Sequence, residues 1–143
     1  MKNSVDLPTA VMKGFSTNIE KAVMDNTNFE KVLYTSEHLQ LVVMSLKPGE
    51  EIGEDIHNAN DLFFRFEIGN GKCVINGNEY EVSNGDAIVV PAGAKHNVIN
   101  THKSGELKLS AIYAPPHHKD GIVRITKAEA EEFPERFDGG ITE

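Results

Sequence analysis

Six histidines carry most of the chemistry available to this 143-residue chain, because an imidazole accepts or donates a proton near neutral pH and, when neutral, ligates zinc, iron, nickel or copper. His96 has the most distinctive surroundings. The segment 85–100, Gly-Asp-Ala-Ile-Val-Val-Pro-Ala-Gly-Ala-Lys-His-Asn-Val-Ile-Asn, reads as a buried strand, a Pro-x-Gly turn and a second strand opened by the histidine. That places His96 at the mouth of a core. His117 and His118 follow Pro115-Pro116 directly after an apolar run, so they belong to a loop near the same opening. With Tyr113 just before them, they are candidate substrate contacts or a proton donor, or else part of a proline-held rim loop. His38 and His102 stand among polar neighbours at strand ends and are expected in solvent. Cys73, the single cysteine, has no histidine near it in sequence and reads as an inert thiol. Neither a nucleophile elbow nor the Gly-x4-Gly-Lys-Ser/Thr phosphate loop occurs.

The elements that must position these residues are short strands. Seven runs, 39–46, 62–68, 72–75, 80–82, 87–91, 96–100 and 107–114, are rich in β-branched and aromatic residues and separated by glycine-bearing turns. Asn76-Gly77, between two alternating runs, is the strongest hairpin signal. Alternation puts Leu62, Phe64, Phe66 and Ile68 on one face and Leu107, Leu109, Ala111 and Tyr113 on another, both pointing into a barrel or sandwich core. On the opposite parity, Arg65 reads as interface or solvent, and Phe63 as packing between subunits or beneath the N-terminal arm. Residues 16–35 lack a clean period and are expected as an arm with one or two short strands. Thr126 and Glu129 form a capping box for a short helix over 127–133, which Pro134 stops.

The segment 85–100 also matches the second motif of the cupin superfamily at all five fixed positions: Gly85, Pro91, Gly93, His96 and Asn100. The first motif of that superfamily maps onto Gly49, Asp55, His57, Leu62 and Gly69 with its spacing intact. The resemblance covers roughly residues 38–116 and is similar to small single-domain cupins of the kind labelled mannose-6-phosphate isomerase-like. It implies an all-β double-stranded β-helix, a jelly-roll barrel of about eight strands, usually dimeric, with one divalent metal in its mouth. On this reading the chain is one domain, 1–143, with a barrel core at about 36–116, an N-terminal arm at 1–35, and a C-terminal loop and short helix at 117–143.

The ligand set that the resemblance implies is His57 and His96, with Asp55 standing where a histidine is usual. Two histidines and one carboxylate leave coordination positions open, as catalytic sites do. The expected cofactor is one divalent transition metal: zinc, iron, nickel or manganese. Leu62 replaces the pattern's carboxylate or amide and cannot ligate, so either the metal gains an open position or the site has become an apolar ligand pocket. Leu62, Phe64, Tyr113 and His117 are the candidate pocket residues, with Phe64 and Phe66 also suited to core packing. Two functions follow from the resemblance. One is a metal-binding cupin acting on a small polar metabolite, isomerase-like or dioxygenase-like. The other is a non-catalytic small-molecule binder with a degenerate metal site.

Charge narrows the partners. Lys+Arg 14 against Asp+Glu 22 gives a net charge of -8, which repels nucleic-acid phosphates and anionic lipid. A small-molecule ligand and a second copy of the chain, as a homodimer, are the expected partners, with no nucleic acid and no membrane. A single cysteine fits a reducing, cytoplasmic setting. No apolar run approaches the ~18 residues of a membrane span, and the first fifteen residues lack a signal-peptide pattern.

Overall fold

A computed structural model describes residues 12–143; the N-terminal part of the expected arm, residues 1–11, lies outside the described residues. Among the described residues, ten strands form two antiparallel sheets. They are β1 (Glu30–Thr35), β2 (Gln40–Leu46), β3 (Asp55–Ile56), β4 (Asp61–Ile68), β5 (Asn70–Ile75), β6 (Asn78–Ser83), β7 (Ala87–Val90), β8 (Lys95–Asn100), β9 (Leu107–Ala114) and β10 (Val123–Arg124). One sheet has six strands in the order β10-β1-β2-β9-β4-β7, the other four in the order β3-β8-β5-β6. Sheet neighbours such as β2 and β9 are far apart in sequence and meet only across long connections, as a jelly roll requires.

The core lies between the sheets. Alternate residues of β2, β4 and β9 (Val42, Met44, Leu46; Leu62, Phe64, Phe66; Leu107, Leu109, Ala111) are buried there together with Cys73, Val82, Val90 and Val98. Period-two burial is what side chains alternating across a pleated sheet produce. The alternation fails at one expected position, because the pairing of β4 with β9 shifts register between Phe66 and Ile68. Glu67 is the extra residue: its side chain turns under the surface, and Ile68 is left exposed. The Asn76-Gly77 turn joins β5 to β6 with both residues at positive φ (48° and 83°), which Gly accepts freely and Asn tolerates.

The N-terminal arm contains one short strand as expected, but what precedes it departs from expectation. Its first part is a helix, α1 (Ile19–Asp25), capped by Asn18, whose side chain accepts a hydrogen bond from the Lys21 N–H. α1 lies against β2, β4 and β9 of its own chain and buries Val23. Lys108 Nζ bonds to the carbonyls of Met24 and Asn26, tying the helix end to β9. The second part is β1, a full member of the six-stranded sheet paired with both β2 and β10, so the barrel extends beyond residues 36–116 in both directions. The C-terminal helix, α2 (Lys127–Glu132), forms as expected, with the Thr126 side chain accepting from the Glu129 N–H.

Candidate functional site

Register brings the two motif segments together. β3 pairs with β8 so that Asp55 faces His96, and the Gly93 N–H of the Pro-x-Gly turn donates to the His57 carbonyl at 3.0 Å. The His57 and His96 rings then stand 5.3 Å apart, centre to centre. The loop after β9 delivers the next two imidazoles. His117 meets the edge of His57 at 4.3 Å and stacks on Tyr113 at 5.5 Å, while His118 packs edge-on against Tyr113 at 4.9 Å.

Two buried amides hold that loop. Gln40, at the start of β2 and fully buried, accepts from the N–H groups of both His117 and His118 through Oε1, and its Nε2 donates to the His118 carbonyl and to Thr35 Oγ1. On the other side, Asn60 Nδ2 donates to the carbonyls of Pro115 and Pro116. Gln40 was legible in principle: it shares the inward parity of Val42, Met44 and Leu46, and an amide in a core stripe demands partners.

His57, His117, His118 and Tyr113 line one cavity of about 140 Å³ together with Glu30, Asp55, Met44, Ile52, residues of α2 and Arg136. Burial governs the electrostatics here. It lowers His57 from its usual value, lowers His117 to about 4 and His118 to about 3, and raises Tyr113 and Glu30, the latter to about 7. Glu30 Oε2 lies 3.4 Å from His118 Nδ1, and burial disfavours the charged form of each, so the contact is not a strong ion pair. Among the described residues, His118 Nε2 is buried with no hydrogen-bond partner. Glu30 and Arg136 carried no signal in the sequence, because their approach depends on β1 pairing and on the segment after α2 folding back.

The remaining candidates separate. Leu62 and Phe64 are in the apolar core and do not line the cavity; the Phe64 ring stands 6.4 Å from that of His96, centre to centre. His96 is buried and likewise outside the cavity lining. Its Nδ1 sits 3.1 Å from the Ala94 carbonyl, which can only accept, so that nitrogen carries the proton and Nε2 keeps its lone pair. Asp55 is exposed, with Oδ2 3.5 Å from His57 Nε2 and Oδ1 accepting from the Ile56 N–H. His38 is in solvent, and His102 Nδ1 accepts two turn N–H groups.

These donors do not make a preformed metal centre. Among the described residues, no three His, Cys, Asp or Glu side chains converge on a point that could hold a metal ion. Asp55 is exposed and its Oδ1 is taken by the Ile56 N–H, Leu62 offers no donor, and His117 contacts His57 edge to face.

The sequence profile described as Cupin domain matches residues 42–113, half of the chain. An uncharacterized Bacillus subtilis (strain 168) protein, YrkC, is 44% identical over 124 residues, covering 82% of this chain and 66% of the relative, just under two thirds of its length. The uncharacterized protein L612 of Acanthamoeba polyphaga mimivirus is 34% identical over 119 residues, covering 81% of this chain and 74% of that protein. Among solved structures, BH2720 of Bacillus halodurans superposes with a TM-score of 0.82 at 41% identity, covering 85% of this chain and 96% of that one.

Proposed function

The chain belongs to the cupin domain family, and from that premise we propose that its barrel mouth binds a small polar molecule directly, through His57, His117 and Tyr113. The observation that carries this reading is the convergence of three neutral imidazoles and a phenol on one cavity, with a buried imidazole nitrogen that has no hydrogen-bond partner among the described residues. A buried polar atom without a partner costs roughly 1–3 kcal/mol, and a ligand that bonds to it recovers that energy. The ligand is small: about 140 Å³ is room for only a few heavy atoms at a time. Two copies of the chain pair through the outer face of the six-stranded sheet, where Phe63 and Val89 remain exposed and β7 has an open edge.

A second reading keeps the transition metal, zinc, iron, nickel or manganese, on His57 and His96 with Asp55 as the third ligand, and an isomerase-like or dioxygenase-like reaction. It is favoured by the lone pair left on His96 Nε2 and by the 3.5 Å separation of Asp55 Oδ2 from His57 Nε2. Elemental analysis of protein purified without chelator or histidine tag separates the two. Direct binding predicts metal far below one atom per chain. One atom per chain, lost in a His57→Ala, His96→Ala double variant, would establish the second reading instead.

A further inference from the structure

We infer that Arg136 and His118 Nε2 form a carboxylate-recognition subsite in the barrel mouth, so that the ligand is a small molecule bearing one carboxylate. This deepens the direct-binding reading and rests on it. Arg136 reaches the mouth because the chain after α2 folds back: the Phe137 N–H donates to the His117 carbonyl at 2.9 Å, and Arg136 forms a β-bridge with His118. Its side chain lines both the mouth cavity and an adjoining one of about 70 Å³, which share Glu30, His118, Ala130 and Arg136. The ion pairs in this corner use other cations: Arg124 and Lys119 both go to Glu135, and none among the described residues uses Arg136. Its charge is nevertheless felt by Glu30, His57, Tyr113, His117 and His118 alike.

A guanidinium offers a planar pair of N–H donors that matches a carboxylate's two oxygens. His118 lines the same two cavities, and among the described residues its buried Nε2 has no hydrogen-bond partner. His118 Nδ1 faces Glu30 Oε2 at 3.4 Å, and in the neutral tautomer that protonates Nε2 this nitrogen is a second donor for the same anion. A phosphate is disfavoured: Asp55 and Glu131 also line the cavity, and a dianion meets their repulsion more strongly than a monoanion does, with Arg136 and the rim Lys127 to oppose it.

The test is a side-chain NMR titration of the full chain with acetate, its neutral isostere acetamide, and inorganic phosphate. Acetate is expected to move the Arg136 Nε–H and His118 ring signals saturably, with acetamide and phosphate at least ten-fold weaker. Arg136→Gln should lower acetate affinity to that of acetamide, and Arg136→Lys should fall between. The bridge to His118 is main-chain, so Arg136→Gln preserves the barrel amide spectrum, and Arg136→Lys provides the reading if the segment loosens. Equal binding of acetate and acetamide, or unchanged acetate affinity in both variants, overturns the carboxylate subsite and leaves the pocket standing. Tighter binding of phosphate overturns the carboxylate assignment. If none of the three probes moves His57, His117 or Tyr113, the pocket reading falls as well.

Discussion

At pH 7 His117 and His118 are neutral, because burial holds them near 4 and 3. In the unfolded chain they protonate near 6.5, so between about pH 6.5 and 4 the unfolded state binds more protons, and stability falls as pH drops through that window. Glu30 acts oppositely. Raised to about 7, it binds its proton in the folded state first, and its contribution is lost as pH rises from about 4.5 to 7. Urea midpoints should therefore fall from pH 7 to pH 5, and fall more steeply in Glu30→Gln, where the opposing group is gone. A flat profile in both proteins contradicts the burial of these imidazoles. Cys73 gives a separate check: its thiol is buried and pushed up to about 11, so it should resist a thiol reagent at pH 8 until urea unfolds the chain. His57 and His96 could be found in the sequence because turns and fixed spacing mark them. Arg136 could not, since nothing in residues 134–137 states where that segment docks.

The elements show why some positions tolerate change and others do not. Gly69 and Gly49 both sit at positive φ, 97° and 75°. A methyl group on Gly69 would fall 2.3 Å from the Glu106 carbonyl oxygen, whereas one on Gly49 meets nothing within 4 Å. Gly49→Ala should thus cost only the backbone strain, about 1–2 kcal/mol, and Gly69→Ala clearly more, by equilibrium denaturation. Equal costs would show that the β4–β5 corner yields. Gln40→Ala leaves the His117 and His118 N–H groups and the His118 carbonyl without their buried partner, a loss of about 2–3 kcal/mol, and should broaden the NMR signals of residues 115–118 specifically. The strand runs were readable because alternation and glycine turns are local. α1 was not, because its seven residues show too little periodicity, and only the Asn18 cap announces it. The Glu67 bulge escaped for a different reason: it is a property of pairing with β9, which lies some forty residues further on.

For the whole molecule, the two sheets and α1 account for the inner core and part of the outer face, while Phe63 and Val89 stay exposed beside the free edge of β7. Pairing of two copies there predicts a dimer in light scattering at micromolar concentration and a monomer for Val89→Lys. A monomeric parent would refute it. The net charge of -8 makes a locally positive group near the mouth such as Arg136 more telling, since it stands against the field of the chain. That the barrel mouth holds its ligand by direct contact is tested most directly by the imidazole nitrogen spectrum of the tag-free protein, titrated with acetate in the presence and absence of EDTA. Direct contact predicts saturable shifts of the His57 and His117 nitrogens that EDTA does not alter. Shifts of His57 and His96 caused by EDTA alone, or no response of any imidazole to acetate, would contradict it.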